Sequence, residues 1–404
     1  MSMNQTPRGE RIHIALFGKR NAGKSSVINA MTNQELAIVS DVKGTTTDPV
    51  YKAMELLPLG PVVVIDTPGL DDVGELGMKR VEKTREVLAK TDIALVVIDS
   101  TIGMSPLEEE LINEIKERKL AYIVVYNKKD MCDCSEEIDQ KESICVSAVT
   151  KEGIEALKER LGALVPEEED KFRIVGDLID PSDFVVLVVP IDKAAPKGRL
   201  ILPQQQTIRD ILESDATAIV VKEYELRDTL MALGKKPKMV ITDSQVFSKV
   251  AADTPSDIWL TSFSILFARF KGDLEEEIRG VKAIEELEDG ARILIAEGCT
   301  HHRQCDDIGT VKIPRWLSQY TGKKFRFETS SGNSFPKDLD QFDLVIHCGG
   351  CTLNRKEMKS RIARVKAAGV PIVNYGILIA AIQGILKRSI EPFPLAAMIL
   401  EEDD

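Results

Sequence analysis

The sequence predicts an α/β fold throughout. It divides into a nucleotide-binding domain over residues 1–166 and two smaller α/β domains with mainly parallel sheets, over 172–270 and 271–404. Three observations carry that reading. The apolar run Arg11–Phe17 ends in the glycine-rich loop Gly18-Lys-Arg-Asn-Ala-Gly-Lys-Ser25 and continues into a helical stretch from Ser26 to Met31. Further along, short apolar strands alternate with helical patterns at the spacing of right-handed crossovers. Between these regions the charge run Pro166-Glu-Glu-Glu-Asp-Lys171 reads as a linker.

Composition narrows the functional classes. With 404 residues, 43% of them hydrophobic, the chain can bury ample core. A formal net charge of -12 without a basic stripe argues against nucleic acid as a partner, because phosphate backbones call for clustered cations. No apolar run reaches the roughly 18 residues of a membrane span, and the N-terminus lacks a signal-peptide pattern, so we expect no membrane association and a cytoplasmic protein. In a reducing compartment its seven cysteines are expected to be ligands or buried thiols rather than disulfides.

The first domain is justified motif by motif. In a strand, loop and helix of this order, backbone amides form a concave anion site, which assigns Gly18, Asn21, Ala22, Gly23, Lys24, Ser25 and Ser26 to phosphate binding. Lys24 neutralises the terminal phosphates and Ser25 offers a hydroxyl to Mg²⁺. A buried strand, Val62–Ile65, delivers Asp66-Thr-Pro-Gly69, where Asp66 can reach Mg²⁺ through water and the Gly69 amide can sense a γ-phosphate. Another strand, Tyr122–Tyr126, ends in Asn127-Lys128-Lys-Asp130, and a carboxylate there can pair with the N1 and exocyclic amino edge of guanine. Ser147 and Ala148, after a further short strand, complete the base pocket. Together these look like the consecutive motifs of the small GTPase superfamily, which implies GTP and GDP as ligands and hydrolysis to GDP and phosphate.

Gly44-Thr-Thr-Thr-Asp48 resembles the first switch of the translation-factor-like GTPases that include Era and the tRNA-modification GTPase. The resemblance makes Thr46 a Mg²⁺ ligand beside Ser25 and groups Lys24, Thr46, Asp66 and Gly69 as the catalytic set. Asn21 stands where potassium-activated members hold K⁺ against the phosphates; the alternative is a residue that only hydrogen-bonds within its loop. Leu70 occupies the position of the water-orienting glutamine of Ras-like enzymes, so the charge has to come from elsewhere, and K⁺ is expected to supply it. The acidic, glycine-rich stretch Gly69–Gly77 reads as a mobile second switch. Cys132 and Cys134 read as solvated loop thiols and Cys145 as core.

In the middle region the expected strands are Phe184–Val189, Ala218–Val221, Met239–Thr242 and Ile258–Thr261, with helices at Pro203–Glu213, Glu225–Leu233 and Ser244–Ala251. The loop Asp192–Arg199 is either a ligand loop or an exposed connector. The run Ser264–Phe270 is apolar for a domain end, and it or the sheet edge is expected to bury against another subunit.

After an acidic helical stretch, Asp273–Glu288, the strand Ala291–Ala296 runs into Cys299-Thr-His-His-Arg-Gln-Cys305, and Phe342–Ile346 runs into His347-Cys348-Gly-Gly-Cys351. A third strand, Pro371–Asn374, precedes a helix from Ile377. If these strands are parallel neighbours, both cysteine groups fall at carboxyl ends, where open α/β sheets place ligands. Three cysteines with adjacent histidines fit either zinc as Cys₃His or an iron–sulfur cluster with a weak fourth ligand. Structural zinc usually comes from two compact knuckles, which tilts the pattern toward iron–sulfur. Cys305 could be a fourth thiolate, His301 and His347 ligands or outer hydrogen-bond donors, and His302 solvated.

Cys299-Thr-His301 followed by His347-Cys-Gly-Gly-Cys351, behind the GTPase motifs, resembles the FeFe-hydrogenase maturation GTPase (HydF) family, as does the segment Ala195-Pro-Lys-Gly-Arg-Leu-Ile-Leu-Pro-Gln. The resemblance covers essentially the whole chain. It implies a 4Fe–4S cluster on Cys299, Cys348 and Cys351, with His301 or His347 at an exchangeable fourth position, while Cys305 lies outside the family motif. It also implies a homodimer through the middle domain. The role implied is a scaffold that receives a diiron precursor made with two radical-SAM maturases and delivers it to the apo FeFe-hydrogenase. Two other readings compete: a GTPase with a structural zinc module acting on RNA or ribosomes, and a GTP-regulated iron–sulfur redox sensor.

Overall fold

A computed structural model of the chain describes residues 6–32, 49–70, 83–132, 142–164, 173–190, 200–298, 307–332 and 334–401. Two compact units result, Met1–Glu167 and Glu168–Asp404. The linker at 166–171, the first switch, the loop 192–199 and the segment 299–306 fall largely or wholly outside the described residues.

In the first unit β1 (Ile12–Phe17), β2 (Val50–Leu56), β3 (Gly60–Asp66), β4 (Ile93–Asp99), β5 (Ala121–Asn127) and β6 (Ser143–Cys145) form one sheet in the order β2-β3-β1-β4-β5-β6. Every pairing is parallel except β2 with β3. β1 and β4 are buried along their whole length, as continuous apolar runs in a parallel sheet covered on both faces should be. Their side chains alternate between two cores: Ile14, Leu16, Leu95 and Val97 face one, and Ala15, Phe17, Ala94 and Val96 the other. Helices α1 (Lys24–Thr32), α2 (Pro106–Glu117) and α3 (Ile154–Ala163) flank the sheet. α2 starts where Pro106 fits an N-terminal turn and the Ser105 amide donates to Glu108 Oε2 at 2.9 Å. β2 was not among the expected strands, because an exposed edge strand carrying Lys52 and Glu55 lacks a continuous apolar run. Cys145 ends β6 half-buried rather than fully in the core.

The second unit holds two four-stranded sheets, all parallel. The first joins β7 (Phe184–Val188), β8 (Thr217–Val221), β9 (Met239–Thr242) and β10 (Trp259–Ser262) in the order β10-β9-β7-β8. The second joins β11 (Arg292–Glu297), β12 (Arg326–Ser331), β13 (Leu344–His347) and β14 (Ile372–Asn374) in the order β12-β11-β13-β14. Both follow one plan, in which the chain steps once to one side of its first strand and then crosses to the other. Each sheet therefore has a reversal point between its first and third strands, and the carboxyl ends open a crevice there. One apolar core runs through both sheets, from Val186 and Leu187 to Ile293, Ile295 and Ile346.

The helices of this unit are α4 (Leu202–Glu213), α5 (Leu226–Ala232), α6 (Phe247–Asp253), α7 (Phe263–Lys271), α8 (Leu274–Glu286), α9 (Ile313–Thr321), α10 (Arg355–Ala367) and α11 (Tyr375–Ile382), followed by α12 (Leu386–Ile390) and α13 (Pro394–Glu401). Of the apolar run and the sheet edge, either of which was expected to bury against another subunit, the run in α7 is covered by this chain itself, with Ile265, Leu266, Phe267 and Ala268 buried against α4, α10 and α11. β8 is an outer strand of the first sheet, and Val220 on it is exposed, as are Leu212 and Tyr224. α8 is capped by Asp273, which accepts from the Glu276 amide at 3.1 Å, and Glu275 and Glu276 in its first turn complement its N-terminal dipole. It crosses β14 so closely that a Cβ on Gly280 would lie 1.9 Å from Ile372 O. No helix among the described residues is long and apolar enough to cross a membrane.

Candidate nucleotide and metal sites

At the end of β1 the chain turns at Gly18, whose φ is +145° and where a Cβ would lie 2.1 Å from Val97 O, so only glycine fits against β4. Lys24 is buried and folds back over the loop, its Nζ donating to Gly18 O at 3.0 Å and Lys19 O at 2.8 Å. Ser25 Oγ donates to Asp66 Oδ2 at 2.6 Å, which joins the two expected Mg²⁺-facing groups at the start of α1 and the end of β3. Burial raises the Asp66 carboxyl above its ordinary range, against the Ser25 hydrogen bond and the Lys24 charge that lower it. A cation between these oxygens would relieve that desolvation. The Leu70 amide donates to Gly18 O at 3.3 Å, so the Gly69 turn lies beside the loop. Asn21 sits exposed at the loop tip with φ +62° and has no hydrogen-bond partner among the described residues. Thr46 lies outside them.

Asn127 ties the base side to the phosphate side. Its Nδ2 donates to Ala22 O at 3.0 Å and its Oδ1 accepts from the Ala148 amide at 3.1 Å. Gly23, at φ +91°, has to be glycine because a Cβ would stand 2.2 Å from Asn127 Nδ2. Ser147 Oγ donates to Asp130 Oδ1 at 2.5 Å, holding the carboxylate expected to read guanine. Sequence reasoning missed Asp99, which accepts from Lys128 Nζ at 2.5 Å and holds that side chain across the site. Burial raises the Asp99 carboxyl, but the hydrogen bonds from Lys128 and Thr101 outweigh it and leave the group below the usual carboxylate range. An acid ending the apolar run Ile93–Asp99 was the available signal.

In the second unit β11 and β13 are direct parallel neighbours, with Ala296 opposite His347. Their carboxyl ends meet at the reversal point of the sheet. The Gly298 amide donates to Cys348 Sγ at 3.0 Å and the Gly350 amide to the same sulfur at 3.4 Å. Thr352 Oγ1 donates back to Gly298 O at 2.9 Å. Two amides aimed at one sulfur are the environment of a thiolate or of a cluster-bound sulfur, so this loop fits the donor chemistry of an iron–sulfur ligand. The wrap needs small residues: Gly350 has φ +57°, and a Cβ on Gly298 would lie 2.8 Å from Leu353 Cγ. Cys299, His301, His302, Cys305 and Cys134 lie outside the described residues. Among the described residues no group of three or more His, Cys, Asp or Glu side chains gathers to hold a metal, and the cysteines form no disulfide.

His347 has both ring nitrogens engaged. Nδ1 is 2.7 Å from Cys348 O, which can only accept, so Nδ1 carries the hydrogen. Nε2 then accepts from Arg361 Nη1 at 3.3 Å. Arg361 also donates to Glu357 Oε1 at 2.8 Å and Gly332 O at 2.6 Å. Burial, with the Arg361 charge beside it, pulls the imidazole pKa down to about 3, so the ring is neutral. As a fourth ligand His347 would give up one of these two bonds; as an outer donor it keeps both. Tyr375 completes the surroundings: its hydroxyl is 3.4 Å from Glu297 Oε1, and burial, then the nearby Cys348 and Glu297, hold it well above its ordinary range and protonated.

Comparison with known proteins gives matches along both units of the chain. The family described as 50S ribosome-binding GTPase matches residues 13–128. The hydrogen maturase F dimerization domain matches 174–272 and the hydrogen maturase F tetramerization domain matches 275–392. The tRNA modification GTPase MnmE of Desulforamulus reducens is 35% identical over 164 residues, 39% of this chain and 35% of the relative. GTPase Der of Kosmotoga olearia is 28% identical over 211 residues, 47% of each chain. These matches span about a third to a half of the curated relatives' length. Among solved structures, Era of Aquifex aeolicus bound to GDP and aluminium fluoride aligns at 22% identity with a TM-score of 0.35, covering 55% of this chain and 98% of that one. The two hydrogen maturase F domains together span more than half of the sequence behind a GTPase domain, and the chain belongs to the hydrogen maturase F family.

Proposed function

We propose that the chain is a GTP-hydrolysing scaffold of FeFe-hydrogenase maturation, which holds a 4Fe–4S cluster and carries a diiron precursor from radical-SAM maturases to the apo-hydrogenase. The observation that carries the cluster reading is the Gly298 amide on Cys348 Sγ, which brings the residue before Cys299 against the Cys348–Cys351 loop. Cys299, Cys348 and Cys351 would then supply three thiolates, and His301 takes precedence over His347 for the fourth position. A cluster held by three thiolates supplies an iron with a replaceable ligand. The protein's part is to present the sulfurs. The Gly298 and Gly350 amides donate to Cys348, the neutral His347 fixes its carbonyl, and the protonated Tyr375 stands near it.

In the first unit Lys24 would leave its two loop carbonyls for the terminal phosphates, while Ser25 and Thr46 hold Mg²⁺ and Asp66 acts through water. Asn21 at the exposed loop tip would present K⁺ to the same phosphates. GTP would order the loops bearing Thr46 and Gly69 and so time the exchange of partners. Assembly would use the β8 edge for a homodimer, in keeping with the match of 174–272 to a dimerization domain.

The test is anaerobic reconstitution with iron and sulfide, followed by EPR, on the parent and on Cys299→Ala, Cys348→Ala and Cys351→Ala. Loss of the reduced-cluster signal and of hydrogenase activation in each variant is expected. Stoichiometric zinc without a reducible iron centre would replace this reading with a structural zinc module.

A further inference from the structure

The Cys348–Cys351 loop rests on a helix that belongs to the other sheet of its unit. α7 follows directly on β10, whose last residue, Ser262, caps it, and a Cβ on Gly349 would lie 3.5 Å from Ser264 Oγ and 3.9 Å from Phe267 Cβ. At the end of this helix Lys271 is 2% exposed, and its ammonium lies 5.5 Å from the centroid of the Phe267 ring. The ammonium emerges under the cysteine loop, donating to Cys351 O at 3.1 Å and Leu353 O at 2.9 Å. An ammonium taken this far out of water is costly and persists only where its hydrogen bonds and charge are matched.

We propose that Lys271 is a positioning residue for the metal site, in which a cation supplied by the dimerization domain locks the Cys348–Leu353 turn and offsets the negative charge of thiolate-bound iron and sulfide. The inference rests on the cluster reading above. Two effects follow from one side chain. The paired carbonyl bonds hold the backbone on both sides of Thr352, so that Cys351 keeps its direction relative to Cys348. The fixed positive charge favours the more negative, reduced state of whatever the thiolates bind. The last turn of α7 thereby couples the sheet that carries the subunit edge to the loop that carries the sulfurs.

The full-length chain, its Lys271→Met form and its Lys271→Gln form are reconstituted with iron and sulfide under anaerobic conditions. Iron release to a chelator and the reduction midpoint followed by EPR are then measured. Lys271→Met, which keeps the stem and loses donors and charge, is expected to release iron about tenfold faster, with a reduction equilibrium about tenfold less favourable, a fall of about 59 mV. Lys271→Gln, which keeps donors without the charge, is expected to recover the release rate while the midpoint stays low. Parent-like release and midpoint in both variants would overturn the proposal. So would failure of both to give folded protein, since Lys271 would then serve the fold of the unit alone. A parent chain that takes up no reducible iron centre would instead defeat the cluster reading itself, which keeps the two failures distinct.

Discussion

Glu277 gives the sharpest test of how the second unit is held together. It lies in the first turn of α8, fully buried, and neither carboxyl oxygen has a hydrogen-bond partner among the described residues. Burial, with a smaller contribution from Asp273, raises its pKa from 4.5 to about 8. Lys271, nearby in sequence, sends its ammonium to the Cys351 and Leu353 carbonyls. Below pH 4.5 folded and unfolded chains both hold the proton. Between 4.5 and about 8 only the folded chain does, so stability falls as pH rises and levels off above that window. At about 1.4 kcal/mol per unit, the loss from pH 4.5 to pH 7 is roughly 3 kcal/mol. Glu277→Gln keeps the shape without a titrating proton, so at pH 7 it should be more stable than the parent by about 3 kcal/mol and at pH 5 by less than about 1. Urea unfolding followed by tryptophan fluorescence isolates the effect, because the only two tryptophans, Trp259 and Trp316, are both in the second unit. Parallel pH profiles for parent and variant would refute the reasoning.

Three further outcomes are expected. Gly280→Ala should lower the urea midpoint of the same fluorescence transition by the equivalent of about 1–3 kcal/mol, because its Cβ would press on Ile372 O; an unchanged midpoint would mean that α8 can shift from β14. Asp130→Asn should weaken GDP binding by about 1.5–3 kcal/mol, or ten- to more than a hundredfold, in a fluorescent-nucleotide titration, since a charge-assisted pair with guanine is lost. Unchanged affinity would remove Asp130 from the base pocket. GTP turnover should be several-fold faster in potassium than in sodium buffer at equal ionic strength, and equal rates would leave Asn21 without a cation.

Much of the nucleotide site was legible in the sequence because its parts are local. Gly18–Ser25, Asp66–Gly69 and Asn127–Asp130 are each a strand end followed by a turn, and a turn is written in neighbouring residues. Asp99 escaped notice although it ends an equally plain apolar run, because only its place beside Lys128 gives it a role. The edge strand β2 escaped because strands at a rim need no continuous apolar run. α7 was read as apolar enough to bury, and it does bury, but its cover is this chain's own α4, α10 and α11.

The sequence by itself determined where thiols and histidines stand, at the carboxyl ends of apolar strands, with glycines that let a loop turn tightly. Tertiary structure decided which of them meet. That β11 and β13 are neighbours, that the Gly298 amide reaches Cys348, that His347 has its two nitrogens committed to Cys348 and Arg361, and that Lys271 arrives from the other sheet all depend on contacts between distant segments. A residue's identity sets which bonds it can make, while the order of strands in a sheet sets which partners come within reach.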